Sequence, residues 1–243
     1  MDERFLRTEM LLGPEAMERL AAAHVAVFGL GGVGSWCAEA LARSGVGALT
    51  LVDHDDVGLT NLNRQAEALE STLGQPKAAA MAERISQINP ACRLTVLAEK
   101  YEAASREKFF AVPYDYIVDC IDLVSCKLDL IETALARGIP IISSLGTGNK
   151  LDPTQLQVTD ISKTYGCPLA RVMRKELRAR GIQHLKVVFS PEEPVSPAQP
   201  ETPPPGRRSV PASNPWVPAT AGLLLGSAVV RDLIAPVSRE NNP

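Results

Sequence analysis

The sequence predicts an α/β fold, doubly wound around a mostly parallel sheet, and three observations carry that expectation. Short β-branched runs alternate along the chain with helical stretches of about 10 to 15 residues, the pattern of parallel strands joined by crossover helices. A glycine cluster falls directly after the first such run, where a strand turns tightly into a helix. The chain has 243 residues, 45% of them hydrophobic, enough for one large core without disulfides or a structural metal.

In order, Pro14 to Ala23 has helical composition and leads into HVAVFG, a buried strand ended by Gly29. Small and apolar residues from Val33 to Arg43 fit a helix on that strand, and ALTLVD, Ala48 to Asp53, is the second strand. PKAAAMAERISQIN is a helix with Pro76 at its start, followed by the strands CRLTVLAE and YDYIVDC. Leu123 to Arg137 suits a helix, IPIISS a strand after the Gly138-Ile139-Pro140 break, and LQVTDI a further strand. Residues 1–190 are expected to form one domain, with PLARVMRKELRARGI at 168–182 as a basic amphipathic helix. Ten of the 19 prolines lie between Pro191 and Pro218, so 191–216 reads as a long mobile loop. Residues 217–235 then return as a helix to the same core.

Charge and targeting signals exclude several classes. A formal charge of −3 is inconsistent with a generally basic nucleic-acid coat but leaves room for a local patch. Such a patch exists: Arg171, Arg174, Lys175, Arg178, Arg180 and Lys186 face only Glu176, a local charge of +5. The N-terminus is charged from its second residue and AGLLLGSAVV is about half of a bilayer span, so neither secretion nor a membrane partner is expected. The five cysteines form no Cys-x-x-Cys pair, so no zinc-ribbon spacing is offered, and their odd count and the lack of a leader point to a reducing, cytoplasmic location. Cys37, Cys92 and Cys120 read as core, and Cys167 as a non-catalytic thiol beside the basic helix.

The sharpest local signal is Gly29-Leu30-Gly31-Gly32-Val33-Gly34 at a strand-to-helix junction. Glycines there permit a tight turn and close backbone approach, and free amides at the helix start bind phosphate. Asp53 closes the next strand, where a carboxylate accepts both ribose hydroxyls. This describes a Rossmann-like nucleotide-binding half, and on these residues alone NAD and ATP are equally supported. Asn61, Arg64 and Gln65 in NLNRQ, and Lys77 in GQPK, add two amides and two cations aimed at one phosphate chain. That suits carboxylate adenylation, in which charge builds on the α-phosphate and the departing pyrophosphate. Asp122, just after YDYIVDC, lies at the carboxyl edge of the sheet and suits Mg²⁺ on those phosphates. Each residue also has a plain structural alternative: Arg64 and Lys77 as solvated charges, Asp122 as a helix N-cap, Asn61 as a turn former.

Taken together, RFLRTEMLLG, GLGGVG, Asp53-His54-Asp55, TNLNRQ, GQPK and DCID resemble the ThiF-type adenylating family. That family includes ubiquitin-activating enzymes and the activators of molybdopterin and thiamine sulfur carriers. The resemblance implies ATP held by Gly29, Gly31, Gly32, Gly34, Asp53 and Asp55, phosphate contacts from Asn61, Arg64, Gln65 and Lys77, and Mg²⁺ at Asp122. It further implies a homodimer in which Arg7 reaches the other copy's site. Arg7, Arg64, Lys77 and Asp122 are thus the implied catalytic residues.

GVGSWCAEALARSGVG, DDVGLTNLNRQ, AERISQINP, LDPTQLQVTDISKT and PLARVMRKELRARGI are more similar to the branch of tRNA threonylcarbamoyladenosine dehydratases. The missing zinc-type cysteine pairs and Leu123 after the magnesium aspartate agree with that branch. It implies adenylation of the carboxylate of a modified tRNA nucleoside beside the anticodon, then cyclisation to a hydantoin form. Implied partners are that tRNA, contacted by Arg171, Arg174, Lys175 and Arg178, and a sulfur-transfer protein. Relatives with a longer C-terminal region carry a cysteine before the final helix, where this chain has only Ser209 and Ser213. The alternative is an enzyme that adenylates the C-terminal glycine of a ubiquitin-like carrier protein.

Overall fold

The computed structural model describes residues 2–198 and 210–235. Seven strands build one sheet: β1 (His24–Phe28), β2 (Ala48–Val52), β3 (Arg93–Leu97), β4 (Tyr116–Asp119), β5 (Ile141–Ser144), β6 (Gln157–Asp160) and β7 (Lys186–Phe189). Their order is β3-β2-β1-β4-β5-β7-β6, with every pairing parallel except β6 against β7. The chain winds outward from β1 to β3, returns to β4 beside β1, and winds the other way. The crevice between β1 and β4 is therefore the point where strand order reverses, the place where open α/β sheets bind ligands.

Eight helices flank the sheet among the described residues: α1 (Leu6–Leu12), α2 (Pro14–Ala22), α3 (Gly34–Arg43), α4 (Lys77–Ile88), α5 (Arg106–Phe109), α6 (Val124–Ala136), α7 (Pro168–Ala179) and α8 (Trp216–Ile234). Two apolar clusters divide along the sheet. Leu20, Cys37, Leu41, Met81, Ile85, Leu225 and Val229 belong to the side of α3, α4 and α8. Phe28, Phe109, Leu130, Met173 and Leu177 belong to the side of α5, α6 and α7. Strands β1 and β2 are buried almost end to end, as expected of parallel strands covered on both faces.

Helices α1 and α5 and strand β7 are absent from the sequence reading, and the start of α8 differs from it. β7 has only four residues behind a basic segment, so it carried no clear strand pattern, yet Val187, Val188 and Phe189 are fully buried between β5 and β6. α8 begins at Trp216, one residue ahead of the expected 217, because Asn214 Oδ1 accepts the Val217 amide at 2.9 Å and Pro218 sits in the first turn, where a missing N–H costs little. α8 is long and apolar enough to cross a bilayer by length and composition, and its Val217, Ala221, Leu225 and Val229 are buried in the core. Gly222 and Gly226 let it approach α3: a Cβ at Gly222 would lie 2.4 Å from Val33 O, and one at Gly226 2.8 Å from Ala40 Cβ. Arg19 Nη1 caps the other end on Ile234 O at 2.8 Å, and Tyr116 and Lys186 both bond Asp232.

The loop expected at 191–216 lies partly outside the described residues, which omit 199–209. On either side of that gap the backbone is tied to Asn149: Val195 N donates to Asn149 O at 2.9 Å, and Ala212 exchanges bonds with Asn149 N at 2.8 Å and Oδ1 at 2.7 Å.

Candidate active site

Three helices begin at the carboxyl edge of the sheet: α3 after β1, α4 after β2 and its long connection, α6 after β4. None has a side-chain cap or an acidic residue in its first turn. Each end therefore presents backbone N–H groups and partial positive charge without an internal anion, which suits a phosphate chain.

The glycine loop sits at the β1–β4 crevice. Gly29 has φ +86°, and a Cβ there would meet Cys120 O at 2.7 Å; a Cβ at Gly34 would lie 1.8 Å from Gly29 O. Only glycine allows the turn to fold this tightly against the end of β4. Gly31 faces open space, with Gln65 Nε2 the nearest atom at 3.9 Å, and Gly32 packs on the Arg64 stem.

Asp53 is buried, and its two oxygens fasten the loop to β2: Oδ2 accepts Leu30 N at 2.6 Å and Oδ1 accepts Asp55 N at 2.9 Å. Lys77 is buried at the start of α4 and donates to Asp55 Oδ2 at 2.9 Å. Arg64 is half-buried, which pulls its guanidinium below its ordinary value, and donates to Thr60 O and Asn63 Oδ1. Asn61 Oδ1 accepts Gly58 N at 2.9 Å and so shapes its own turn. This segment is stitched to α3 by Trp36 Nε1 on Arg64 O at 2.9 Å and by Ala66 N on Ser35 Oγ at 3.1 Å.

The structure thus gathers Gly29, Gly31, Gly32, Gly34, Asp53, Asp55, Asn61, Arg64, Gln65 and Lys77 into one cluster. Asp122 joins it through the turn after β4; it is exposed and lies one residue outside α6, whose N-cap is Leu123. Arg7 is not brought to them within one chain: it is exposed on α1, which packs on α2. On α7, Arg171, Lys175 and Arg178 are exposed along an open groove, while Arg174 is half-buried and bonded to Thr164. Cys167 is buried, and its sulfur accepts Ala170 N at the start of α7. Burial pushes the thiols of Cys92 and Cys120 up to about 11 and about 12, so both are neutral at ordinary pH.

The sequence reading missed Glu67. It is 1% exposed, and among the described residues neither of its carboxylate oxygens, nor Gln65 Oε1, meets a partner at good hydrogen-bond geometry. Burial pushes the Glu67 carboxyl up to about 8; Lys77 pulls it down and Asp53 pushes it up. The available signal was a lone carboxylate set between Ala66 and Ala68 just past NLNRQ.

Among the described residues, the donors that could hold a metal are few. Asp53, His54 and Asp55 lie close enough to share an ion, but Asp53 is committed to two amides and Asp55 to Lys77. Asp122, an exposed carboxylate just after β4, has the donor chemistry that Mg²⁺ takes, since that ion uses one or two carboxylates and completes its shell with phosphate oxygens and water.

The profile of the ThiF family matches residues 5–239. The chain belongs to this family. A tRNA threonylcarbamoyladenosine dehydratase of Bacillus subtilis is 45% identical over 98% of this chain and 97% of its own length. The crystal structure of the Escherichia coli tRNA N6-threonylcarbamoyladenosine dehydratase in complex with ATP superimposes with a TM-score of 0.88 at 40% identity, over 98% of this chain and 96% of that one. A complex of the same enzyme with AMP is equally similar. Within the family, the molybdopterin-synthase adenylyltransferase of Escherichia coli is more distant, 31% identical over 63% of this chain and 61% of its own length.

Proposed function

We propose that this chain is an ATP-dependent dehydratase of threonylcarbamoyladenosine in tRNA. What carries this reading is the end-to-end likeness to enzymes of that name, joined to a cluster whose charges suit adenylation. The substrate carboxylate attacks the α-phosphorus of ATP, the bond to the β-phosphate breaks, and pyrophosphate leaves. The ureido nitrogen on the adenine then attacks the activated carbonyl, loses its proton and expels AMP, closing the hydantoin ring. That second step is intramolecular, so orientation supplies much of its rate without an enzyme thiol.

In this reading the amides of Gly31 to Gly34 and the start of α3 face the phosphates, and Asp53 faces the ribose. Lys77 exchanges Asp55 for a phosphate oxygen, and Arg64 turns from Thr60 and Asn63 to the same chain. Mg²⁺, held by Asp122, would supply neutralising charge to the phosphates when bound. Arg171, Arg174, Lys175 and Arg178 on α7 face the tRNA backbone. The active species is a cytoplasmic homodimer in which Arg7 serves the second copy's site, a role that suits its place on an exposed helix whose Leu6, Met10 and Leu11 also lie uncovered.

ATP–pyrophosphate exchange tests the substrate class. Exchange is expected on addition of threonylcarbamoylated tRNA and not of a small carrier protein with a C-terminal glycine. Exchange that depends on the carrier protein instead would overturn the reading.

A further inference from the structure

The Lys127 ammonium, on α6, is fully buried, and its hydrogen-bond partners all lie in the turn leading to Asp122. It donates to Asp119 Oδ2 at 2.7 Å, to Ile121 O at 3.1 Å and to Asp119 O at 3.5 Å. Asp119, at the end of β4, is also fully buried. Its Oδ1 accepts Ile121 N at 3.1 Å, and its Oδ2 takes a second bond from Ser143 Oγ of β5 at 2.7 Å. Cys120 N is bonded to Phe28 O of β1 at 2.8 Å.

Both backbone groups of Ile121 are therefore held by one buried ion pair, on which β4, β5 and α6 meet, while the adjoining Cys120 amide ties the turn to β1. The same turn forms the surface against which Gly29 packs through Cys120 O. Stability alone does not account for such a pair. Two charges removed from water gain little over an apolar pair of the same shape, and replacement by hydrophobic residues is often neutral. What an apolar pair cannot do is bind the N–H and C=O of the turn and fix where the next side chain emerges.

We propose that Lys127 and Asp119 are positioning residues of the candidate active site, holding the 119–121 turn so that Asp122 meets the phosphate chain beside the glycine loop. The proposal rests on the reading of Asp122 as the carboxylate that serves Mg²⁺ on those phosphates.

The test compares the wild-type chain, Asp122→Asn and the double variant Lys127→Met/Asp119→Leu. ATP affinity is measured by titration calorimetry with and without Mg²⁺, alongside exchange turnover and Tm. The double variant is expected to fold with Tm near that of wild type and to bind ATP without Mg²⁺ as wild type does. It should lose the gain in affinity that Mg²⁺ gives and fall about 10²-fold in turnover, like Asp122→Asn. An Asp122→Asn variant that keeps its Mg²⁺ response would overturn the reading of Asp122, and the proposal with it. Loss of that response in Asp122→Asn but not in the double variant would overturn the positioning role alone. Should the double variant fail to fold, hydrogen exchange of the wild-type Ile121 amide decides. Protection comparable to the β4 amides is expected, and exchange at the rate of an exposed loop would refute the clamp.

Discussion

In the proposed reading, Lys77 and Arg64 are cations kept in order before a nucleotide arrives. Each spends its hydrogen bonds on oxygens that a phosphate can replace: Asp55 for Lys77, Thr60 O and Asn63 for Arg64. Loss of either charge leaves the transition state short of stabilisation, so Lys77→Ala and Arg64→Ala are each expected to lower kcat by at least ~10²-fold in steady-state assays. Glu67 makes a separate prediction. With an ordinary value of 4.5 and a folded value of about 8, the folded chain holds a proton in that window that the unfolded chain has lost. Stability therefore falls as pH rises from about 4.5 to about 8 and levels off beyond it. Glu67→Gln removes this slope. In thermal melts across that range its Tm should vary less than that of wild type, with a gain at the alkaline end on the order of a few kcal/mol. At this scale residue type and spacing picked out GLGGVG, Asp53 and Lys77 as candidates, and the structure places them at one edge of the sheet. The sequence was silent on Glu67, Lys127 and Asp119, whose importance comes from what surrounds them in space.

Helices α3 and α8 are joined through small residues, and α8 in turn touches the loop: Pro218 Cβ would lie 3.2 Å from a Cβ at Gly32. Gly222→Val should force these helices apart, at a cost of about 1–3 kcal/mol in chemical denaturation and with a weaker affinity for ATP. On the opposite side of the sheet, the exposed cations of α7 should act on tRNA alone. The triple substitution Arg171→Glu/Lys175→Glu/Arg178→Glu is expected to raise KM for tRNA and flatten its salt dependence while leaving KM for ATP unchanged. An equal effect on both substrates would contradict a separate tRNA face. Among the elements, the parallel strands were readable because they are short, β-branched and bounded by Gly or Pro. β7 escaped because four residues behind a charged segment carry too little periodicity, and only its pairing between β5 and β6 gives it a place.

At the scale of the whole molecule, a charge of −3 is an average over regions with opposite tasks. The basic residues of α7 lie on one face, and the glycine loop, Arg64, Lys77 and Asp122 collect at the carboxyl edge of the sheet. That convergence depends on the reversal of strand order between β1 and β4, which no local motif encodes and the alternation of strands and helices only implies. The central claim is that this edge adenylates and cyclises a tRNA nucleoside, and mass spectrometry of nucleosides tests it most directly. After incubation of the purified protein with ATP, Mg²⁺ and threonylcarbamoylated tRNA, the modified nucleoside should lose the mass of one water while AMP and pyrophosphate appear. An unchanged nucleoside mass, under conditions where the protein binds ATP, would contradict it.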